Sequence, residues 1–162
     1  MKRWSFSCTL GVLLLLSWVL VGIPVRSQAE RTTRSRRPVA LALAVDGKTL
    51  FVANQGGTIT VLDPAAGRVT AEVQVGRRLA DLALTADGRR LLAVDEEANE
   101  LVLVQREPAL EVVQRVAVGY APVSVQMDDE RGRCCIASLW SRRLTVVDLP
   151  RDGGKSNVAK VI

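Results

Sequence analysis

Histidine is absent from the 162 residues, and aromatic residues make up only 4% of them. Without His, this chain supplies no His-ligated zinc or haem, no Ser-His or Cys-His nucleophile pair and no c-type haem attachment motif. Cysteine is scarce too, at three residues. Cys8 precedes an apolar run instead of following it, which is not the place of a lipid-modified cysteine. Cys134-Cys135 is one vicinal pair with no second cluster to complete a metal site. No Gly-x-x-x-x-Gly-Lys-Ser/Thr segment opens a helix, so Gly56-Gly57 and Gly153-Gly154 read as hairpin turns. The acidic cluster Asp95-Glu96-Glu97 with Asn99 and Glu100 lacks the alternation and Gly of a calcium loop and reads as a solvated loop. The sequence therefore predicts no catalytic, cofactor-binding or metal residue, no cofactor and no enzymatic activity.

Apolar residues are plentiful, at 48%, enough to offset the entropy of ordering a chain of one-domain length. Some of them form a leader. Lys2 and Arg3 begin it, Leu10 to Ile23 is mostly apolar, Pro24 breaks the run, and Ser27-Gln28-Ala29 sets small residues at −3 and −1 of a cleavage site. Residues 1–29 are thus read as a signal helix and 30–37 as a basic linker. The expected location is periplasmic or secreted. The alternative, an inner-membrane anchor left uncleaved, is disfavoured because spanning takes about 20 apolar residues.

The net charge of +5 belongs to those first residues. Lys2, Arg3, Arg26, Arg31, Arg34, Arg36 and Arg37 face a single acid, Glu30, and from Pro38 onward 15 basic residues meet 16 acidic ones. The excess says little about partners of the folded part, and no specific nucleic-acid binding is expected.

From Pro38 the chain repeats. Pro38 to Asn54 recurs as Leu79 to Asp95, displaced by 41, and a looser copy runs from Pro122 through Val125, Met127, Cys135 and Ile136 to Ser138, displaced by a further 43. Each copy reads as four short strands, because apolar residues recur at a spacing of two and turn residues interrupt every six to ten positions. Asp46-Gly47 and Asp87-Gly88 mark the first hairpins, with Glu130 in the corresponding place of the third copy. Four strands in about 40 to 45 residues is the signature of a propeller blade. The predicted fold is all-β, with about three blades over 38–78, 79–121 and 122–162.

Phe51-Val52-Ala53-Asn54, preceded by Asp46-Gly47-Lys48 and followed by Ile59-Thr60-Val61-Leu62-Asp63 and Val73-Gln74-Val75-Gly76, resembles the YVTN family of β-propeller repeats. Leu92-Ala93-Val94-Asp95 and Cys135-Ile136-Ala137-Ser138 depart from the four-letter signature. The resemblance implies a WD40-like architecture and exported proteins of diverse activity, so it leaves function open.

Propellers close with 4 to 8 blades, and three copies make an incomplete ring. The sequence thus reads as a fragment of a longer propeller, from a truncated or split frame, whose missing blades come from another chain or lost sequence. If each open face exposes roughly 500 Å² of apolar surface, the burial forfeited is on the order of 12 kcal/mol per face. Leu41 and Leu43 on the first blade and Val125, Met127 and Cys135 on the third are expected on those faces. Cys135 falls in register with Phe51 and Leu92, so the cysteines read as buried thiols, with a strained vicinal disulfide as the alternative.

The second-to-third-strand loops and the links between blades belong at one end of the ring. They place Asn54, Gln55, Arg77, Arg78, Asp95, Glu96, Asn99, Tyr120, Trp140 and Arg142 on a common binding face. Trp140 is the best single contact, since an exposed Trp beside Arg is a typical interface anchor; the alternative packs it over its own blade. Asp81 and Ser124 take the place of Ala40 and are candidates to face a central channel. The expected function is that of an exported, non-catalytic propeller module that binds a protein, glycan or small ligand. The alternative is the N-terminal propeller of a periplasmic redox protein whose haem c domain lies outside this chain.

Overall fold

Residues alternating between two faces, cut by turns at short intervals, emerge as strands throughout the computed structural model, which describes residues 36–150 and 154–162. The signal helix read over 1–29, its cleavage position and Gly153 lie outside those residues. The first sheet holds β1 (Pro38–Leu43), β2 (Leu50–Asn54), β3 (Thr58–Asp63) and β4 (Arg68–Gln74). The second holds β5 (Leu79–Leu84), β6 (Arg90–Asp95), β7 (Glu100–Gln105) and β8 (Glu111–Ala117). The third holds β9 (Pro122–Asp128), β10 (Arg133–Ser138), β11 (Arg143–Asp148) and β12 (Asn157–Val161). In each sheet the strands pair antiparallel in chain order, and no helix occurs among the described residues. The architecture is three propeller blades, with the first strands β1, β5 and β9 packed in series.

Each blade buries one face against its neighbour. Phe51, Ala53 and Ile59 of the first blade meet Leu82, Leu91 and Ala93 of the second. Leu92, Leu101 and Leu103 of the second meet Val125, Cys134 and Ile136 of the third. Apolar burial of this kind is what a blade cannot achieve alone. Polar bridges reinforce it. The Arg106 guanidinium lies 5.0 Å from the Phe51 ring centre, and Arg115 Nη2 donates to the Val75 carbonyl at 2.7 Å. Gln114 takes the Ser156 N–H and donates to the Ser156 carbonyl, at 2.8 and 2.7 Å.

Several expectations change. Val125 and Met127 do not lie on an open face; the β9–β10 register sets them beside Ile136 and Cys134, facing the second blade. Cys134 is the buried thiol and Cys135 is half-buried, because among the described residues no blade covers the face it shares with Phe51 and Leu92. Both cysteines are free. Asp81 is committed between blades: its carboxylate accepts Ser124 Oγ at 3.0 Å, the Val125 N–H at 2.8 Å and the Leu82 N–H at 2.8 Å. The first two hairpins are capped as predicted, with Asp46 accepting from Lys48 N and Asp87 from Arg89 N. In the third, the cap is Asp128, which accepts from Arg131 N, since this turn is built around Gly132 in the left-handed region instead of a residue aligned with Gly88.

Candidate interaction site at the loop end

The loops after the second strand of each blade are stitched to the link entering the same blade. Gln55 N donates to the Arg37 carbonyl, Glu96 N to that of Arg78 and Leu139 N to that of Ala121, at 2.8, 2.9 and 2.9 Å. Loops and links therefore form one end of the arc. The stitching demands acceptors, and Asp95 is the strongest. It is fully buried, and its carboxylate receives the N–H groups of Arg77, Arg78 and Ala98 at 2.7, 3.2 and 3.1 Å. It is not part of a solvated loop. Gly76 is required beside it, because a Cβ there would press on the Asp95 carboxylate. Asn99, at φ 59°, accepts the Ala121 N–H with Oδ1 at 2.8 Å, tying the loop of the second blade to the link into the third. Asn54 is buried and donates Nδ2 to Thr58 and Thr60 Oγ1 at 3.0 and 2.8 Å.

Among the described residues, three clefts open on this end. Arg78, Glu96, Glu97, Tyr120, Ala121 and Trp140 line one of about 340 Å³. Arg37, Gln55, Gly56, Arg77, Arg78 and Glu97 line another of about 440 Å³. The third, of about 490 Å³, runs along Gly76, Arg77, Asp95 and Glu97 to Arg115. Glu97 borders all three. Of the ten residues expected on a binding face, Gln55, Arg77, Arg78, Glu96, Tyr120 and Trp140 come together with side chains at these clefts. Asp95 and Asn99 serve the stitching, and Asn54 is buried against Thr58 and Thr60 of its own blade. Arg142 is exposed at a left-handed turn position and lines none of the three. Arg37 and Glu97 were not anticipated. The repeat displacement of 41 from Arg37 to Arg78 was the available signal for the first.

Chemically, the first cleft pairs an aromatic wall with a charged rim. Trp140 is 70% exposed and Tyr120 is 64% exposed, so Trp140 does not pack over its own blade. Arg78 Nε meets Glu96 Oε2 at 3.2 Å on the opposite side. Among the described residues no group of three His, Cys, Asp or Glu is arranged to hold a metal ion. Among the described residues the one strongly perturbed thiol lies elsewhere: burial, together with the neighbouring Cys135, pushes Cys134 up to about 12, which leaves it a neutral core group.

The sequence matches no protein-family model. It also matches no curated protein. Solved structures do resemble the chain. Hydrazine synthase of Kuenenia stuttgartiensis aligns at a TM-score of 0.67 and 23% identity, over 76% of this chain and 35% of that one. The periplasmic gluconolactonase of Pseudomonas aeruginosa aligns at 0.67 and 22%, over 75% of this chain and 38% of that one. The β-propeller domain of Cps50 (Swd1) from Myceliophteria thermophila aligns at 0.62 and 15%, over 73% and 38%. At such identities the likeness shows the fold, a β-propeller. The chain spans little more than a third of the length of these structures.

Proposed function

We propose that this chain is an exported, non-catalytic propeller module of YVTN-like repeats that docks a protein partner at its loop end, with Tyr120 and Trp140 as anchors. One observation carries the reading. Outside the leader the sequence has three aromatic residues, and only Phe51 is in the core. The other two stand exposed on one cleft whose rim is Arg78, Glu96 and Glu97. Aromatic anchors within a charged rim are the usual anatomy of a docking surface. The cleft is open, whereas small-ligand sites enclose most of their ligand. Export rests on the leader motif in residues 1–29.

Trp140 is the sole tryptophan after Ala29, so fluorescence reports on this cleft alone. Immobilised chain is exposed to an envelope extract beside a Tyr120→Ala, Trp140→Ala double variant of unchanged circular dichroism. Each captured protein is then titrated against free chain. The expected result is a partner retained only by the wild type, with a blue shift of Trp140 emission on binding. Equal capture by the double variant, or binding with no change in Trp140 emission, would overturn the assignment. Mass spectrometry of the mature protein is expected to find Glu30 at its N-terminus.

A further inference from the structure

The strand registers divide each blade into a back face, toward the blade before it, and a forward face, toward the blade after it. Leu82 and Leu91 lie on the back face of the second blade, and Val125 and Ile136 on that of the third; all four are buried. The equivalent residues of the first blade are Leu41, Leu50 and Val52, with Leu43 beside them. Here Leu41 is 63% exposed and Leu43 is 56% exposed. The back face of the first blade thus has the same aliphatic composition as two faces that are covered; Val52 on it is buried, but among the described residues its Leu41–Leu43 strip is open.

The forward face of the third blade is its structural complement. Phe51, Ala53, Ile59 and Val61 form that face in the first blade, and Leu92, Val94, Leu101 and Leu103 form it in the second. The third blade sets Cys135, Ala137, Leu144 and Val146 in those places, all small or aliphatic. None of the four is fully buried. One molecule therefore carries both halves of the blade-to-blade interface that it already forms twice internally.

We propose that two copies of this chain join head to tail, the back face of the first blade of each receiving the forward face of the third blade of the other. The contact is heterologous, and such contacts either close into rings or run on as open chains. Two three-blade arcs give six blades, within the four to eight over which propellers close. Closure also leaves no large apolar patch in water, which soluble monomers avoid. This inference is independent of the loop-end docking proposed above.

The test uses chain expressed from its full sequence and sized by light scattering coupled to gel filtration. A back-face variant (Leu41→Glu, Leu43→Glu) and a forward-face variant (Ala137→Glu, Leu144→Glu) change side chains that are exposed in the single chain. The wild type is expected at twice the monomer mass and each variant alone at the monomer mass. Mixing the two variants is expected to restore a one-to-one dimer, through the single intact interface that the pair retains. Lysine versions of both variants repeat the test if a glutamate version fails to give a folded circular dichroism spectrum. A monomeric wild type would overturn the proposal and leave these faces to blades of another polypeptide. So would dimers formed by either variant alone, as the forward-face variant would give across an interface of back face on back face, or a mixture that stays monomeric.

Discussion

Asp95→Ala tests whether the loop end is held by a buried carboxylate. The side chain is fully buried and accepts three backbone N–H groups, from Arg77, Arg78 and Ala98. A buried donor left unpaired costs about 1–3 kcal/mol, and loss of one partner in a buried charged network costs about 3–5 kcal/mol. Since truncation opens room for water at part of the site, the lower part of that range applies, about 3–4 kcal/mol. Asp95→Asn keeps one carbonyl acceptor but turns an amide donor on an N–H group, for a loss of about 1–2 kcal/mol. A propeller arc of this size has on the order of 5–15 kcal/mol in total, so the alanine variant should lie near its folding limit. Urea titration followed by far-UV circular dichroism and Trp140 emission measures both losses. Limited trypsin digestion adds a local readout, because freeing the Arg77-Arg78 link should expose two cleavage sites in still-folded chain. An Asp95→Ala variant that unfolds within about 0.5 kcal/mol of wild type, with the link still resistant, would refute the account.

Position on the blade faces should decide the cost of truncation: Leu91→Ala, at a fully buried site between blades, should lose about 2–5 kcal/mol, whereas Leu41→Ala should cost under about 1 kcal/mol in variants held monomeric by the forward-face substitutions. Thiol chemistry should separate the vicinal pair, with iodoacetamide at pH 8 labelling Cys135 in native protein and Cys134 only after denaturation; peptide mapping that finds Cys134 labelled first would contradict its burial. Acid should weaken the first blade. The hydrogen bond from Arg36, against the opposing cost of burial and with help from Thr58, holds Glu72 below its ordinary value of 4.5. A carboxylate lowered by folding stabilises above its unfolded value and loses that contribution as pH falls through the folded one, so Glu72→Gln should flatten the decline in stability below about pH 4.5. The same variant should show a weaker salt dependence, since the Arg36–Glu72 pair is largely exposed.

The blades were legible because a repeat multiplies weak signals. One alternation of Leu41 and Leu43 with alanines is ambiguous, but its recurrence 41 residues later with Asp-Gly at the same offset is not. Period two also fixes which residues share a face. It does not say which face meets a neighbour: Val125 and Met127 are expected on an open face with Cys135, yet they pair with Ile136 and Cys134 on the opposite, covered face. The change of displacement from 41 to 43 hid the third hairpin in the same way. Alignment pointed to Glu130, whereas the backbone needed an acceptor two residues earlier, at Asp128.

At the loop end, a polar residue in a turn looks alike in sequence whether water or backbone satisfies it. Asp95 and Asn99 are expected on a contact surface on those grounds, yet the oxygens of both accept N–H groups that close the links, and Asn54 is buried with its Nδ2 on Thr58 and Thr60 of its own blade. The clue was their place in the repeat: Asn54, Asp95 and Ser138 each end the second strand of a blade and each is buried. Removing Asn54, Asp95 and Asn99 from the candidate face leaves side chains with no part in the stitching, chiefly Arg77, Tyr120 and Trp140, which Glu97 joins at the clefts. On the docking proposed above, stability and recognition are divided between two sets of neighbouring residues. Trp140→Ala should then leave the urea midpoint unchanged, within about 0.5 kcal/mol, while removing partner capture. Asp95→Asn should do the reverse, lowering the midpoint while sparing capture at low temperature. If both variants moved both measurements together, Trp140 would be a structural residue and the docking surface would have to be sought on another part of the arc.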